Sequence, residues 1–210
     1  MMSLIDLYAV MLNGQPLSQY ELFMTSLRTG NTRNVTNATG SEERYPAVSA
    51  DGKQILFTSN RWGKGEFYNV FLTDPEGKRV EQRTQLEDVC YLPTWSADGR
   101  TIAFGIGNTS EAGLLEMTTR RMARLPDMRD SYLSPDGSKI TFTQKVGKGF
   151  AVFMMNRDDN QVKQLTQHES EQGGVGPVFS PDSKQILYCD DVDGKEISEI
   201  FVINADGADN

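Results

Sequence analysis

Short apolar segments alternate along the chain with polar, glycine-rich turns. Segments such as 54–58 and 139–143 place Ile, Leu and Phe beside Gln, Lys and Thr, and they are only about five residues long. A period of two with β-branched and aromatic residues is typical of β-strands, and segments this short are typical of strands rather than helices. The pattern therefore predicts an all-β fold.

One of these patterns recurs four times at a nearly constant spacing. Each copy carries an apolar run, a Ser-x-Asp turn and an alternating strand, and the turn aspartates are 47, 38 and 46 residues apart. The copies occupy residues 45–60, 91–108, 130–144 and 175–190, and their aspartates are Asp51, Asp98, Asp136 and Asp182. A period of 40–50 residues with strands in every unit indicates the blades of a β-propeller.

Each unit is predicted to contain four antiparallel strands. The Ser-x-Asp-Gly sequence joins strands one and two, because Asp bonds its own backbone and Gly accepts a positive φ. We predict that Asp51, Asp98, Asp136 and Asp182 accept hydrogen bonds from turn amides, since a catalytic carboxylate has no need of four copies. Strand two of each blade should contain 55–58, 102–104, 140–143 and 186–188.

The whole chain, residues 1–210, is interpreted as a single propeller domain. A partial blade at 1–40 precedes blades at about 41–86, 87–126 and 127–168, and a second partial blade covers 169–210. The first partial unit lacks strand one and the last lacks strand four. Two arrangements remain open: about five irregular blades that close on themselves, or a segment of a larger ring of six to eight blades.

Composition excludes several classes of function. With 21 basic and 29 acidic residues the formal charge is −8, which argues against general nucleic-acid binding. No apolar run approaches the roughly 18 residues that a membrane span needs. The two cysteines, Cys90 and Cys189, lie in strand-like runs and are interpreted as buried free thiols. No cofactor is predicted.

The sequence offers little for catalysis or metal binding. It contains no Gly-x-Ser-x-Gly nucleophile motif, and the only histidine, His168, lies in a polar loop. Asp191 and Asp193 lie at alternate positions of a segment that resembles the start of a Ca²⁺ loop, with Gly194 as its sixth residue. They are weak candidates, because Cys189 stands at the first position and Ile200 stands at the twelfth, where a bidentate Glu is needed. The prediction is that the chain is not an enzyme.

The candidate binding surface is an acidic set of loops. In a four-stranded blade, the connections between blades and the loops between strands two and three lie at one end, opposite the Ser-x-Asp-Gly turns. Acidic loops at such an end would attract a basic protein or peptide segment, or a cation, although an ordinary solvated acidic face fits them too. The predicted binding residues are Glu42, Glu43, Arg44, Arg61, Trp62, Glu87, Asp88, Asp130, Glu169 and Glu171.

The repeat resembles that of TolB-type β-propellers. The first full copy, Tyr45 to Thr84, follows the pattern Tyr-Pro-x-x-Ser-x-Asp-Gly-Lys-x-Ile-x-Phe-x-Ser-Asn-Arg almost throughout. The second copy departs at 105–113, the third has no Pro or Trp in its first strand, and the last has Ser183 in place of Gly. The same repeat also occurs in the propeller domains of prolyl-oligopeptidase-like peptidases.

The resemblance implies a noncatalytic propeller that binds a protein or peptide, as in the TolB family, where a periplasmic scaffold contacts envelope lipoproteins. The alternative is a propeller domain or fragment of a prolyl-oligopeptidase-like peptidase, or of another propeller hydrolase or lyase. The beginning of the chain, MMSLIDLYAVMLNG, has no basic segment and is a poor signal peptide. A periplasmic location is expected for a fragment of an exported protein, and a cytoplasmic one for a complete chain.

Overall fold

A computed structural model describes residues 5–11, 20–63, 66–107, 110–167, 175–191 and 198–207, and this part of the chain contains strands and no helix. The strands are β1 (Ile5–Met11), β2 (Tyr20–Ser26), β3 (Thr32–Asn34), β4 (Glu43–Val48), β5 (Ile55–Ser59), β6 (Asn69–Thr73), β7 (Glu81–Gln82), β8 (Cys90–Trp95), β9 (Thr101–Ile106), β10 (Glu111–Glu116), β11 (Met122–Pro126), β12 (Arg129–Leu133), β13 (Lys139–Val146), β14 (Gly149–Asn156), β15 (Val162–Gln164), β16 (Val175–Phe179), β17 (Gln185–Asp191) and β18 (Ser198–Asn204).

These strands form antiparallel sheets in which each strand pairs with its neighbours in sequence. Over the described residues the sheets are β1–β3, β4–β7, β8–β11, β12–β15 and β16–β18. The predicted second strands all lie within β5, β9, β13 and β17. The prediction of an all-β fold made of propeller blades is therefore confirmed. The chain divides into two compact units, residues 1–93 and 94–210, with the boundary inside β8.

The Ser-x-Asp turns are built in the same way in four sheets. In the first, the Ser49 hydroxyl donates to Asp51 Oδ1 over 2.7 Å, and the Lys53 amide donates to the same oxygen over 3.0 Å. The same pair of hydrogen bonds reaches Asp98, Asp136 and Asp182. The serine hydrogen bond is the main reason that the pKa of each aspartate lies below its ordinary value.

Replacing Asp136 tests these turns. Asp136→Ala removes the hydrogen bonds from the Ser134 hydroxyl and the Ser138 amide, and should lower the free energy of unfolding by about 1 kcal/mol at neutral pH. Because the folded-state pKa is lowered, this stabilisation is complete above the unfolded value of about 3.9 and is lost as the pH falls through the folded value. Urea unfolding of both proteins at pH 7 and in the acid range measures the difference. A difference that does not shrink in acid would contradict the role of the carboxylate.

A β-bulge interrupts the first strand in three of these sheets. The register shifts between Arg44 and Ala47 in β4, and it shifts at the corresponding places in β12 and β16. The residue four positions before the turn serine has a positive φ in every copy; these residues are Tyr45, Leu92, Asp130 and Gly176. Bulges of this kind bend a strand and turn its next side chains. Tyr and Leu adopt this conformation only at a cost in strain.

Consecutive sheets pack face to face within each unit. We call the side that faces the preceding sheet the back face and the side that faces the following sheet the front face. The back faces of three sheets carry a stacked aromatic pair at the same register, with ring centroids 5.6–5.7 Å apart. The pairs are Phe57–Phe71, Phe142–Phe153 and Tyr188–Phe201. These faces pack into apolar clusters, such as the one that joins Leu22 and Val35 to Ile55, Phe57 and Phe71.

No helix in the described part of the chain is long and apolar enough to cross a membrane.

Candidate functional site

Several of the predicted binding residues meet at one end of sheet β4–β7, in the first unit. Glu43 is the register partner of Ser59, so the start of β4 lies beside the end of β5 and the turn that follows it. At the same end, Asn69 exchanges hydrogen bonds with the backbone of Leu86, over 2.8 and 3.2 Å. We call this surface the loop end of β4–β7; it comprises residues 42–44, 59–62, 68–69 and 86–88.

Glu43 forms the buried centre of the loop end. Its carboxylate is 0% exposed and lies 3.0 Å from the guanidinium of Arg61, which is 11% exposed. The hydroxyls of Ser41 and Ser59 donate to the same oxygen, Oε1, over 2.7 and 3.0 Å. The charge is therefore neutralised inside the fold. Of the predicted binding residues, Glu43 lies beneath the surface and not on it.

Arg61 also stacks over aromatic rings. Its guanidinium carbon lies 5.3 Å from the ring centre of Phe57 and 5.8 Å from that of Phe71. The face of an aromatic ring attracts a cation in contacts of this kind. These ring contacts and the ion pair with Glu43 fix the Arg61 side chain, and they thereby restrain the backbone directly before Trp62.

A second cluster holds Arg44 between two tyrosines. Its guanidinium carbon lies 4.6 Å from the ring centre of Tyr20 and 5.1 Å from that of Tyr68. Glu42 Oε2 accepts hydrogen bonds from Arg44 over 2.5 Å and from the Tyr68 hydroxyl over 2.7 Å. Burial, and then the hydrogen bond to Glu42, raise the pKa of Tyr68 to about 12. The phenol is therefore protonated at neutral pH and serves as a donor.

Trp62 is the most exposed aromatic side chain of the loop end. It is 71% exposed, and one edge of its ring rests on Phe71 with the ring centres 5.4 Å apart. Its φ is +60°, in the left-handed region. The residue at the same repeat position in sheet β12–β15, thirteen after the turn serine, is Gly147, and it has the same φ of 60°. A bulky residue thus occupies a position whose backbone suits glycine.

The remaining predicted residues are distributed as follows. Glu87 is exposed at the loop end, and Asp88 accepts a hydrogen bond from the Val89 amide over 2.8 Å. Asp130 belongs to β12 in the second unit, where its carboxylate lies 3.9 Å from Arg129. Glu169, Glu171, Asp193 and His168 lie outside the described residues, and for Asp191 only the backbone is described. Among the described residues, no group of three or more His, Cys, Asp or Glu side chains could hold a metal ion.

Sequence reasoning missed the two tyrosines of the Arg44 cluster. Tyr20, the first residue of β2, and Tyr68, the residue directly before β6, flank Arg44, and neither belongs to a recognisable motif. Glu42 directly precedes β4 and Arg44 lies within it; a spacing of two residues along extended backbone puts both side chains on the same side, and this spacing is the available signal.

The opposite end of sheet β4–β7 holds a cavity of about 390 Å³. Its lining mixes acidic and basic side chains with the Ser-x-Asp turn; the residues are Asp51, Lys53, Gln54, Leu72, Thr73, Asp74, Arg79 and Glu81. The carboxylates of Asp51 and Asp74 accept hydrogen bonds from turn amides here. This end provides a comparison surface for the loop end.

Comparison with known proteins finds that the chain is similar to a peptidase and to TolB proteins. No family profile matches it. The uncharacterized peptidase YuxL of Bacillus subtilis is 24% identical over 145 residues, which cover 68% of this chain and 21% of YuxL. A TolB homologue of Chlorobium chlorochromatii is 27% identical over 145 residues, which cover 67% of this chain and 32% of that protein. The chain thus spans between a fifth and a third of the length of these relatives.

Solved structures agree on the fold. TolB from Acinetobacter baumannii matches with a TM-score of 0.69 and 21% identity, over 91% of this chain and 47% of that one. A putative TolB from Agrobacterium tumefaciens matches with a TM-score of 0.74 and 17% identity, over 92% and 73%. Acylaminoacyl peptidase of Pyrococcus horikoshii matches with a TM-score of 0.62 and 14% identity, over 94% and 36%. At sequence identities this low, the structural similarity shows the propeller fold alone.

Proposed function

We propose that this chain, a β-propeller protein of the TolB type, is noncatalytic and binds a protein or peptide partner at the loop end of β4–β7. A propeller fold serves many functions, so the proposal depends on the site and not on the fold. Loops on a rigid scaffold are where binding residues usually lie. The loop end has such a scaffold, because the Glu43–Arg61 and Arg44–Tyr68 contacts fix it from within.

The conformation of Trp62 carries the proposal. A left-handed backbone costs an L-residue about 1–2 kcal/mol, and Gly147 avoids that cost at the same repeat position. Strain of this kind is found where function requires a particular side chain. A mostly exposed Trp gains little packing in return, since it touches Phe71 by one edge. Trp and Arg are also the residues most enriched in binding hot spots.

The charges of the loop end favour a basic partner. The Glu43 and Arg61 charges neutralise each other, and so do those of Glu42 and Arg44. Glu87 is exposed at the same end and adds an acidic charge to this surface, next to Asp88 in sequence. Exposed charges of one sign accelerate the association of an oppositely charged partner, and salt weakens the effect. The proposed partner presents an apolar side chain to Trp62 and basic side chains to the acids.

Selection of short random peptides displayed on phage tests the proposal. Peptides enriched on the purified chain are synthesised and titrated against the wild type and against Trp62→Gly. We expect Trp62→Gly to weaken binding at least ~10-fold, as loss of a hot-spot side chain does. Its free energy of unfolding should change by less than about 1 kcal/mol, because relief of the backbone strain offsets the lost edge contact with Phe71.

The matched control places a charge change at the other end of the same sheet. Charge reversal at Glu87 and Asp88 should weaken binding of basic peptides and reduce its dependence on salt, whereas reversal of Glu76 in the turn between β6 and β7 should leave both unchanged. Enriched peptides that bind wild type and Trp62→Gly with equal affinity would refute the proposed site.

The relationship to peptidases supports a second candidate, a propeller domain of a peptidase-like protein. The observation that favours it is the match to YuxL over 145 residues. Fluorogenic peptide substrates assayed with the purified chain and with His168→Ala test whether the chain itself hydrolyses peptides. Hydrolysis that His168→Ala abolishes would favour the enzymatic candidate over the noncatalytic one.

A further inference from the structure

The hairpin formed by β13 and β14, in the second unit, is longer than its counterpart in the first. β5 ends at the tenth residue after its turn serine, whereas β13 continues to the twelfth, Val146. The additional cross-strand partners are Lys145 with Phe150 and Val146 with Gly149. Two residues of extended strand add about 7 Å. We call this surface the hairpin end of β12–β15; it comprises residues 127–130 and 145–150.

An arginine lies over an aromatic ring at the hairpin end. The guanidinium carbon of Arg129 lies 5.3 Å from the ring centre of Phe150. Arg129 is the register partner of Thr143, and Lys145 follows Thr143 by two residues, so the Lys145 side chain lies on the same side of the sheet. Lys145 and Lys148 are exposed. The hairpin end thus carries three cations, on a chain whose formal charge is −8.

Arg129 occupies the repeat position of Arg44, because each is the fifth residue before its turn serine. The aromatic residues correspond as well, since Tyr68 and Phe150 directly precede the cross-strand partners of the tenth residue after each serine. In the first unit, Glu42 Oε2 accepts a hydrogen bond from Arg44 over 2.5 Å. The chain itself therefore shows that a guanidinium stacked in this way accepts a carboxylate.

The hairpin end does not supply that carboxylate in the same way. The residue at the repeat position of Glu42 is Asp127, whose side chain is one methylene shorter and whose φ is +58°. Among the described residues, only Asp130 brings a carboxylate within 4 Å of the Arg129 guanidinium, and 3.9 Å is too long for a hydrogen bond. The Arg129 side chain is 52% exposed, so a carboxylate from outside can reach it.

We propose that the hairpin end of β12–β15 binds an acidic peptide segment, with a glutamate side chain of the partner against Arg129. Stacking on Phe150 holds the guanidinium in place, so that it can donate two parallel hydrogen bonds to the carboxylate. Lys145 and Lys148 attract further acids of the same segment. This site lies in the second unit and does not depend on the partner proposed for the loop end of β4–β7.

A peptide fits the hairpin end better than a nucleic acid does. The overall charge of −8 repels a chain of phosphates, whose binding needs an extended basic surface. Single-stranded nucleic acids also stack their bases on aromatic rings, and here the Arg129 guanidinium occupies a face of the Phe150 ring. A few carboxylates on a peptide match the small number of cations.

Nuclear magnetic resonance of the isotope-labelled chain tests the proposal with a capped hexaglutamate peptide and a matched hexaglutamine peptide. Hexaglutamate should shift the Nε–H resonance of Arg129 and the amide resonances of residues 145–150 until they saturate, and hexaglutamine should not. Arg129→Gln should weaken binding at least ~10-fold, because the charge-assisted hydrogen bonds are lost. Circular dichroism checks that the variant keeps its β-sheet spectrum.

Two further variants distinguish a bound carboxylate from general attraction between charges. Asp127→Glu combined with Phe150→Tyr copies the first unit without changing the formal charge. Its internal carboxylate should occupy Arg129 and weaken binding about as much as Arg129→Gln does. Arg100→Gln is the matched control and should bind like the wild type, since Arg100 is 80% exposed and also lies 3.9 Å from an aspartate, Asp98.

Four results would each overturn the proposal. They are a wild type that does not bind hexaglutamate, binding that Arg129→Gln leaves unchanged, an equal loss in Arg100→Gln, and full binding by the combined Asp127→Glu and Phe150→Tyr variant. Oligothymidylate that binds more tightly than hexaglutamate, with the same dependence on Arg129, would identify a nucleic acid as the partner instead.

Discussion

Glu43→Ala should lower the free energy of unfolding by about 3–5 kcal/mol, because it leaves the charge of Arg61 in the fold without its partner. Arg61 is 11% exposed, and it reaches the Glu43 carboxylate over 3.0 Å. The substitution also removes the acceptor for the hydroxyls of Ser41 and Ser59, both buried. Urea unfolding, followed by circular dichroism and tryptophan fluorescence, measures the loss.

Two controls distinguish the cost of leaving a buried charge unpaired from the cost of losing any ion pair. Glu111 and Arg124 form an ion pair on the surface, with side chains 30% and 45% exposed, so Glu111→Ala should cost less than about 1 kcal/mol. Replacing Glu43 by Leu and Arg61 by Met together should recover most of the stability lost in Glu43→Ala, since neither charge then remains buried. A cost for Glu43→Ala no larger than that for Glu111→Ala would show that water reaches the pair.

The blades could be predicted because their signals are local. Alternation of apolar and polar residues over five positions predicts a strand. The Ser-x-Asp-Gly sequence predicts a turn, because its hydrogen bonds join residues no more than five positions apart. The serine hydroxyl, the aspartate and the two amides belong to one short segment. Because this segment is repeated, the strand positions and the fold class could be predicted from the sequence.

The loop end could be predicted only in part, because its contacts join distant positions. Sequence reasoning ranked Glu43 with Glu42 and Glu87 as acids of one surface, since charge alone does not distinguish a buried carboxylate from an exposed one. Glu43 is buried because Arg61, Ser41 and Ser59 surround it, and these contacts depend on the register of β4 and β5. The left-handed conformation of Trp62 has no signal in its own residue type. Only the equivalent Gly147 indicates it.

Gly77→Ala should cost about 3 kcal/mol or more, the sum of backbone strain and a steric overlap. Gly77 ends the turn between β6 and β7, where its amide donates to the Asp74 carbonyl over 2.9 Å and its φ is +72°. A Cβ at this position would fall on the backbone carbonyl of Val35. The turn cannot move away freely, because Arg33 binds the carbonyl of Pro75 within it. The urea midpoint of the variant measures the loss.

Gly99→Ala is the matched control for this substitution. Gly99 has nearly the same φ, +68°, and also ends a turn, but a Cβ there would meet no atom within 4 Å. Its cost should therefore be the backbone strain alone, about 1 kcal/mol. The difference between the two variants measures how closely the turn of Gly77 is held against Val35 in solution. Equal costs would mean that the turn and the residue after β3 separate enough to accept a methyl group, and that the first two sheets are packed less closely there.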